Sequence, residues 1–276
     1  MSIEHLHPFA GDHAIQTAIV VVEWGAADGS GMLSTERLQD IQKAAQPQLA
    51  SHGLSHPEQI HVMEVQFGNN AAASQSAQSL GGFKASRISS QGAEARSLVL
   101  ARERCIVQIN DYTRWAQARL DIQQYLKIVL PLVGTTAPIR HLTLQFNDVF
   151  WWRAPPETLK MAKVFRSDGT WLPSHVFELK TLWHSHHGYF ADHTTPCAFK
   201  QLDNVNVSRS VLDGVESIQA LVAHRASFVI PIWNGAPYDE QHAVAVILDK
   251  FHDENKRILA NLFTDEVLGK IKLLPN

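Results

Sequence analysis

Four histidines fall within ten residues: His184, His186, His187 and His193, with Asp192 beside the last and Cys197 close behind. Neutral imidazole is the commonest side-chain ligand for zinc or another divalent metal of borderline softness, and a carboxylate completes such a site well. The preceding run Val176 to Trp183 alternates apolar and polar residues, which predicts a strand. If the extended backbone continues through residue 186, His184 and His186 share one face, because successive side chains of a strand point to opposite sides. His187 then points away unless a turn at Gly188 redirects it. With His193 or Asp192 as a third ligand, such a site keeps an open position and activates water. That is the chemistry of a metal-dependent hydrolase, a nuclease or phosphodiesterase. Neither an HExxH nor a CxxC pair supports it. Two other readings stand beside it. One is a polar turn next to a strand, with Trp183, Tyr189 and Phe190 packed nearby. The other is an anion- or partner-binding surface tuned by histidine protonation.

Other candidates carry weaker patterns. Asp28-Gly-Ser-Gly31 lies between a predicted strand and helix, where phosphates bind at helix N-termini, but it is neither GxGxxG nor a P-loop and reads as a plain turn. With 15 histidines, Ser/His/Asp combinations can be drawn at will, yet there is no GxSxG nucleophile elbow. Cys105 sits in an apolar strand as an inert core thiol, and Cys197, beside Pro196 and near the histidines, is the better candidate for reactivity. Asp253-Glu254 and Asp265-Glu266 read as first-turn helix acids, which the helix dipole explains without catalysis. Trp151, Trp152, Trp171, Trp183 and Trp233 concentrate in the second half of the chain. Most read as core. Exposed ones would mark a recognition surface, since aromatics are enriched at interface centres. Trp151 and Trp152 beside Pro155-Pro156, with Trp183 and Tyr189, form the candidate ligand or partner surface.

The elements that must position these residues follow from periodicity. Residues 1–13 read as an irregular arm, and Ile15 to Trp24 as a strand rich in β-branched residues. Ser34 or Thr35 caps a helix to about Ser51, with Leu38, Ile41, Ala45 and Leu49 spaced three and four apart. His61 to Phe67 alternates as a second strand, and 68–80 reads as a loop. Phe83 to Ser89, Ala95 to Arg102 and Arg104 to Ile109 suggest a meander. Asn110-Asp111 then caps the strongest predicted helix, whose stripe is Tyr112, Trp115, Arg119, Ile122, Leu126 and Val129. Pro131 or Gly134 ends it. Ile139 to Phe146 is a strand, and Trp151 to Pro156 breaks the pattern. Beyond it, Ala198 to Ser208, Phe228 to Trp233 and Ala243 to Leu248 read as strands, and Gly214 to His224 as loop or helix. Asp249 caps a helix to about Phe263, and Thr264-Asp265 starts a short last one. The strand–Asp–helix unit at Ile106 to Asp111 echoes that at Val244 to Asp249.

These elements predict an α+β fold: two related layers of mainly antiparallel sheet with amphipathic helices packed on one face. The expected halves are 1–150 and 151–276, or one continuous domain. The chain has 276 residues, 45% of them apolar and 18% charged, which is enough to bury a core and argues against disorder. A formal net charge of −3 gives no indication of nucleic acid as a partner, and no apolar run is long enough to span a bilayer. Two cysteines do not make a disulfide framework, and the N-terminus lacks the pattern of a secretory signal, so a cytoplasmic protein is expected.

Trp183-His-Ser-His-His-Gly-Tyr-Phe190, Leu202-Asp-Asn-Val-Asn-Val207 and the ending from Leu248-Asp-Lys-Phe-His252 to Leu262-Phe-Thr-Asp265 carry a resemblance. Tyr112-Thr-Arg-Trp115 and Ile139-Arg-His-Leu142 add to it. Together they resemble a sporadically distributed family of uncharacterised bacterial proteins, over most of the chain. That family brings no assigned activity, so the resemblance implies no catalytic residue. It implies a bacterial accessory protein, and patchy distribution suits a role linked to mobile elements or defence. The expected function is a non-enzymatic binding component acting through a protein partner or self-association as a homo-oligomer, with no cofactor. The metal-dependent hydrolase built on His184, His186 and His193 is the alternative, and a small-ligand sensor using a cleft between the halves is a third possibility.

Overall fold

The computed structural model describes residues 3–25, 31–66, 75–134, 137–232 and 238–273. The predicted phosphate-type turn at 28–31 and Trp233 lie outside them except for Gly31, as does the larger part of the predicted 68–80 loop. Among the described residues ten strands form one mixed-length, largely antiparallel sheet, with five helices, so the fold is α+β. The strands are β1 (Leu6–Pro8), β2 (Ile15–Glu23), β3 (His56–Gln66), β4 (Gln75–Ile88), β5 (Glu94–Ala101), β6 (Arg104–Ile109), β7 (Ile139–Trp152), β8 (Trp183–His193), β9 (Phe199–Leu212) and β10 (Val215–Ile232). The helices are α1 (Thr35–Ser51), α2 (Trp115–Val133), α3 (Met161–Val164), α4 (Ala243–Leu262) and α5 (Asp265–Lys270). The strand order is β3-β4-β5-β6-β2-β7-β10-β9-β8. The sheet is therefore continuous through residue 150, with β2 and β7 paired at its centre.

Alternation decides which strand residues are buried. Along β7, Leu142, Leu144, Phe146, Asp148, Phe150 and Trp152 are buried while their neighbours are mostly half-exposed. The residues Leu142, Leu144 and Phe146 share one apolar cluster with Leu38, Ile41, Ala45 and Leu49 of α1, the Ile122–Leu126–Val129 stripe of α2, and Val244, Leu248 and Phe251 of α4. A second cluster joins Phe150 and Trp152 to Val164, Phe165, Ile258, Leu262 and Phe263. No helix among the described residues is long and apolar enough to cross a membrane.

Several predicted elements change type. Residues 243–248 are the first turns of α4, not a strand. Val244, Ala245, Ile247, Leu248, Phe251, Asn255, Ile258, Leu259 and Leu262 continue one buried stripe at helical spacing, and a six-residue apolar run cannot reveal this by itself. Asp249 is interior to that helix, and the cap is His242, whose Nδ1 accepts from the Val244 N–H at 3.3 Å. The echo at Val244 to Asp249 is thus a helix paired with a strand. The expected strand at 176–183 is a 3-10 turn (Ser174–Phe177) followed by irregular chain, and the strand begins at Trp183. Residues 215–224 belong to β10. Asp213 and Gly214, both in the left-handed region, make the two-residue turn that pairs Leu212 with Val215. Helix α2 starts after Arg114 rather than Asp111, and Gly134, at φ 70°, ends it. Residues 75–80 of the expected loop are already β4.

Candidate functional site

The structure separates the predicted metal ligands. β8 is an edge strand whose residues alternate in exposure, so exposed His184 and His186 lie on one face with Phe190 and Asp192. His193 lies on the other, where Lys250 Nζ is 2.6 Å from its Nδ1. His187 bonds to the Ser185 hydroxyl at 2.8 Å. The three histidines therefore cannot hold one ion. Among the described residues no three His, Cys, Asp or Glu side chains gather as a metal would require.

The aromatic surface is likewise divided. Trp152 is a core residue donating to the Pro155 carbonyl at 3.2 Å, and Trp151, the next residue of β7, points to the opposite face. Trp183 packs on Phe165 with ring centroids 6.0 Å apart, and the Tyr189 hydroxyl donates to Glu254 at 3.2 Å. Burial pushes the Cys197 thiol above its ordinary value, which opposes the thiolate a reactive cysteine needs, and pushes Cys105 up to about 12. Asp265 and Glu266 do occupy the first turn of α5, but Asp253 and Glu254 lie well inside α4.

A different place gathers polar side chains. A cleft of about 600 Å³ opens over the β2–β7 pair, between the start of α2, the middle of α4 and the turn after α5. Its lining includes His13, Asp148 and Asn255, which are 7%, 1% and 3% exposed. Asp148 Oδ2 and Asn255 Oδ1 are buried polar atoms with no hydrogen-bond partner among the described residues, while the His13 ring is drawn to the backbone of Tyr112 and Ile15. Leaving such an atom unpaired costs about 1–3 kcal/mol.

Local structure explains how these three meet. Asp148 stands in the buried row of β7, opposite Ile15, where β2 shifts register between Ile15 and Thr17. Such a bulge re-aims side chains locally. β1 and β2 line the same edge of β7 in succession, and residues 10–13 loop out between them. That excursion is pinned at Val149: its N–H donates to the Ala14 carbonyl at 2.8 Å, and its carbonyl accepts from the Phe9 N–H at 2.9 Å. Gly11, at φ 81°, takes the left-handed conformation within it, which no Cβ opposes. His13 is thereby held two residues from Ile15. On α4, His252, Asn255, Lys256 and Leu259 line the cleft because residues three and four apart share a helix face.

Aromatic rings make one wall. Trp115 stacks on His252 with centroids 4.6 Å apart and planes 9° from parallel, and both meet Phe146 edge-on. Tyr112 contacts His13 edge-on at 5.5 Å. The Trp115 indole N–H donates to Asp249 at 3.1 Å, which fixes the ring. Burial governs the titrations. It pushes the Asp148 carboxyl up to about 7 and holds His13 below its ordinary value. Burial, helped by Lys256, lowers His252 to about 4. Burial and then the Asp148 charge raise the Tyr112 phenol. Three cations line the cleft, each with a carboxylate partner: Arg114 and Lys272 share Asp12 at 3.0 and 2.8 Å, and Lys256 lies 3.4 Å from Asp253.

Asp148, His13 and Asn255 escape the sequence reading, although two leave a signal. With Ile139 to Phe146 extended by two residues, Asp148 is a lone acid in phase with Leu142, Leu144 and Phe146. Asn255 sits four residues after Phe251 and four before Leu259, in the apolar stripe. His13 carries no comparable mark, since only tertiary pairing brings it to β7. A scan against protein-family models gives no match, and no curated protein is similar in sequence.

Proposed function

We propose that this chain is a non-enzymatic binding component whose ligand is a small polar molecule held in the cleft over β2 and β7. One observation carries the reading: three polar side chains from separate stretches of chain, His13, Asp148 and Asn255, each at least nine-tenths buried, line a single cavity with aromatic and apolar walls. The cleft's size falls within the range of about 300–1,000 Å³ typical of small-molecule sites, and its apolar and aromatic walls with few polar groups match their usual lining.

The test is a thermal-shift screen of polar metabolites on the protein and on Ala116→Trp. Ala116 is exposed at the cleft, so the indole blocks the cavity without disturbing the core. A ligand at 100 times its Kd stabilises by about 2.7 kcal/mol. For a chain of this size that is a rise in Tm of roughly 5–10 °C. The expected result is such a rise in the parent and none in the variant. A screen with no stabilising ligand, or with equal shifts in both proteins, rejects the proposal.

A further inference from the structure

We infer that two copies of this chain pair through β8, edge to edge and antiparallel, so that the sheet of one continues into the sheet of the other. None of the β8 residues lines the cleft, so this surface is separate from it.

β8 ends the sheet on one side and pairs with β9 alone. Among the described residues no backbone hydrogen bond reaches its outer side. All eleven of its residues run in register with β9, without a bulge. An open edge of that kind is a template for another strand, and proteins usually blunt it with Lys, Pro, a charge or a bulge. The opposite edge shows those devices. β3 carries Pro57 and Glu58, and its pairing with β4 shifts register between Ile60 and His61. β8 has no Lys, Arg, Pro or bulge, and Asp192 is its only carboxylate. It also holds Phe190 67% exposed.

The strand is complementary to its own reversal. Opposed residues of antiparallel strands alternate between bonded and non-bonded pairs. A pair and its two-fold mate must be of one kind, so the axis has to pass where a residue faces its own copy. Full overlap of residues 183–193 puts that axis at Gly188. On the exposed face, His184 then meets Asp192 of the second copy, an imidazole N–H donor against a carboxylate. His186 meets Phe190 of the second copy, ring against ring. Gly188 meets Gly188, and no side chain crowds the axis. On the other face, where Tyr189 reaches Glu254 of α4, Ser185 meets Ala191 and His187 meets Tyr189 of the second copy. Pairing with β9 does not require this palindrome of small against small and aromatic against aromatic. Because the β3 edge is blunted, the association closes as a two-fold dimer and does not propagate into a fibre.

Sedimentation of the full chain across micromolar concentrations tests this. The parent should be a dimer. His184→Lys/Asp192→Lys and His184→Glu each set two like-charge pairs across the axis, and each should weaken the dimer by about tenfold or more. All the altered positions are exposed, and circular dichroism should show both variants folded as the parent is. An equimolar mixture of the two variants turns every one of those pairs into an opposite-charge pair, and should associate at least about tenfold more tightly than either variant alone. Glu58→Lys, on the far edge, should leave the dimer intact. A monomeric parent, a dimer insensitive to the β8 variants, a mixture no tighter than its components, or a dimer lost through Glu58→Lys overturns the inference.

Discussion

Replacing Asp148 by Asn should stabilise the protein, and by an amount that grows with pH. In the unfolded chain this carboxyl titrates at its ordinary value of 3.8; burial in the β7 row raises it to about 7. Below 3.8 both states hold the proton and the native state bears no penalty. As pH rises from there through about 7, the unfolded state ionises while the folded state does not, so stability is lost continuously. Above about 7 both are ionised and the loss is constant. The gap of about three pH units, at about 1.4 kcal/mol each, amounts to roughly 4 kcal/mol. No solvent discount applies, because the side chain is 1% exposed. Asparagine keeps the shape and carries no titrating proton. The stability difference between Asp148→Asn and the parent should therefore grow by about 3 kcal/mol between about pH 5 and about pH 8, and flatten beyond. Urea unfolding at pH steps across that range measures it. His13, Arg114, His252, Lys256 and Lys272 line the same cleft and are present in both proteins, and Tyr112, which the Asp148 charge raises, stays protonated across this range. A difference that stays flat across the range would refute the account of a carboxyl desolvated without a partner.

Two further outcomes follow from other buried groups. Asp203 and His224 are a buried pair, Oδ1 to Nδ1 2.5 Å, with Gln201 donating to both carboxylate oxygens at 2.8 Å. Burial works against the Asp203 charge, but His224 and Gln201 outweigh it and hold the carboxyl below its ordinary value. Asp203→Ala strands both partners and should cost about 3–5 kcal/mol in urea unfolding; a loss under about 1 kcal/mol would remove the pair from the stabilising interactions of the sheet. His252, lowered to about 4, is neutral at physiological pH and titrates on the Trp115 ring. The tryptophan fluorescence difference between the parent and His252→Gln should be constant down to about pH 5 and change around 4. A change centred near the ordinary imidazole value of 6.5 would contradict the burial that lowers it.

How much of this was legible in sequence depends on whether the deciding contact is local. The stripe of α1 is written at spacings of three and four, and the helix appears where it is expected with the same four buried residues. β2, β5, β6 and β9 are legible for the same reason, since β-branched and alternating residues encode a strand locally. Val244 to Leu248 is not, because an apolar run that short fits either period, and the helix is decided only by its continuation through Phe251 and Leu259. Asp213-Gly214 is a hairpin signal of the strongest short-range kind, and it alone predicts β10 in place of loop or helix. The histidine run drew attention by residue type. Yet alternation along β8 puts His193 opposite His184 and His186 once the strand runs unbroken past Gly188.

The cleft shows why residue type is a poorer guide than residue type set against position. Histidines on the exposed face of an edge strand cost the fold nothing. An acid in the buried row between Phe146 and Phe150 is a different matter, because folding alone would favour an apolar side chain there. The same holds for Asn255 in the apolar stripe of α4 and for His13, carried to β7 on an excursion pinned at Val149. Each such burial costs about 1–3 kcal/mol where the polar group goes unpaired. The three side chains come from three separate stretches of chain and line one cavity, beside a β-bulge on the central strand pair. Packing alone does not require that gathering, and the proposed ligand site accounts for it.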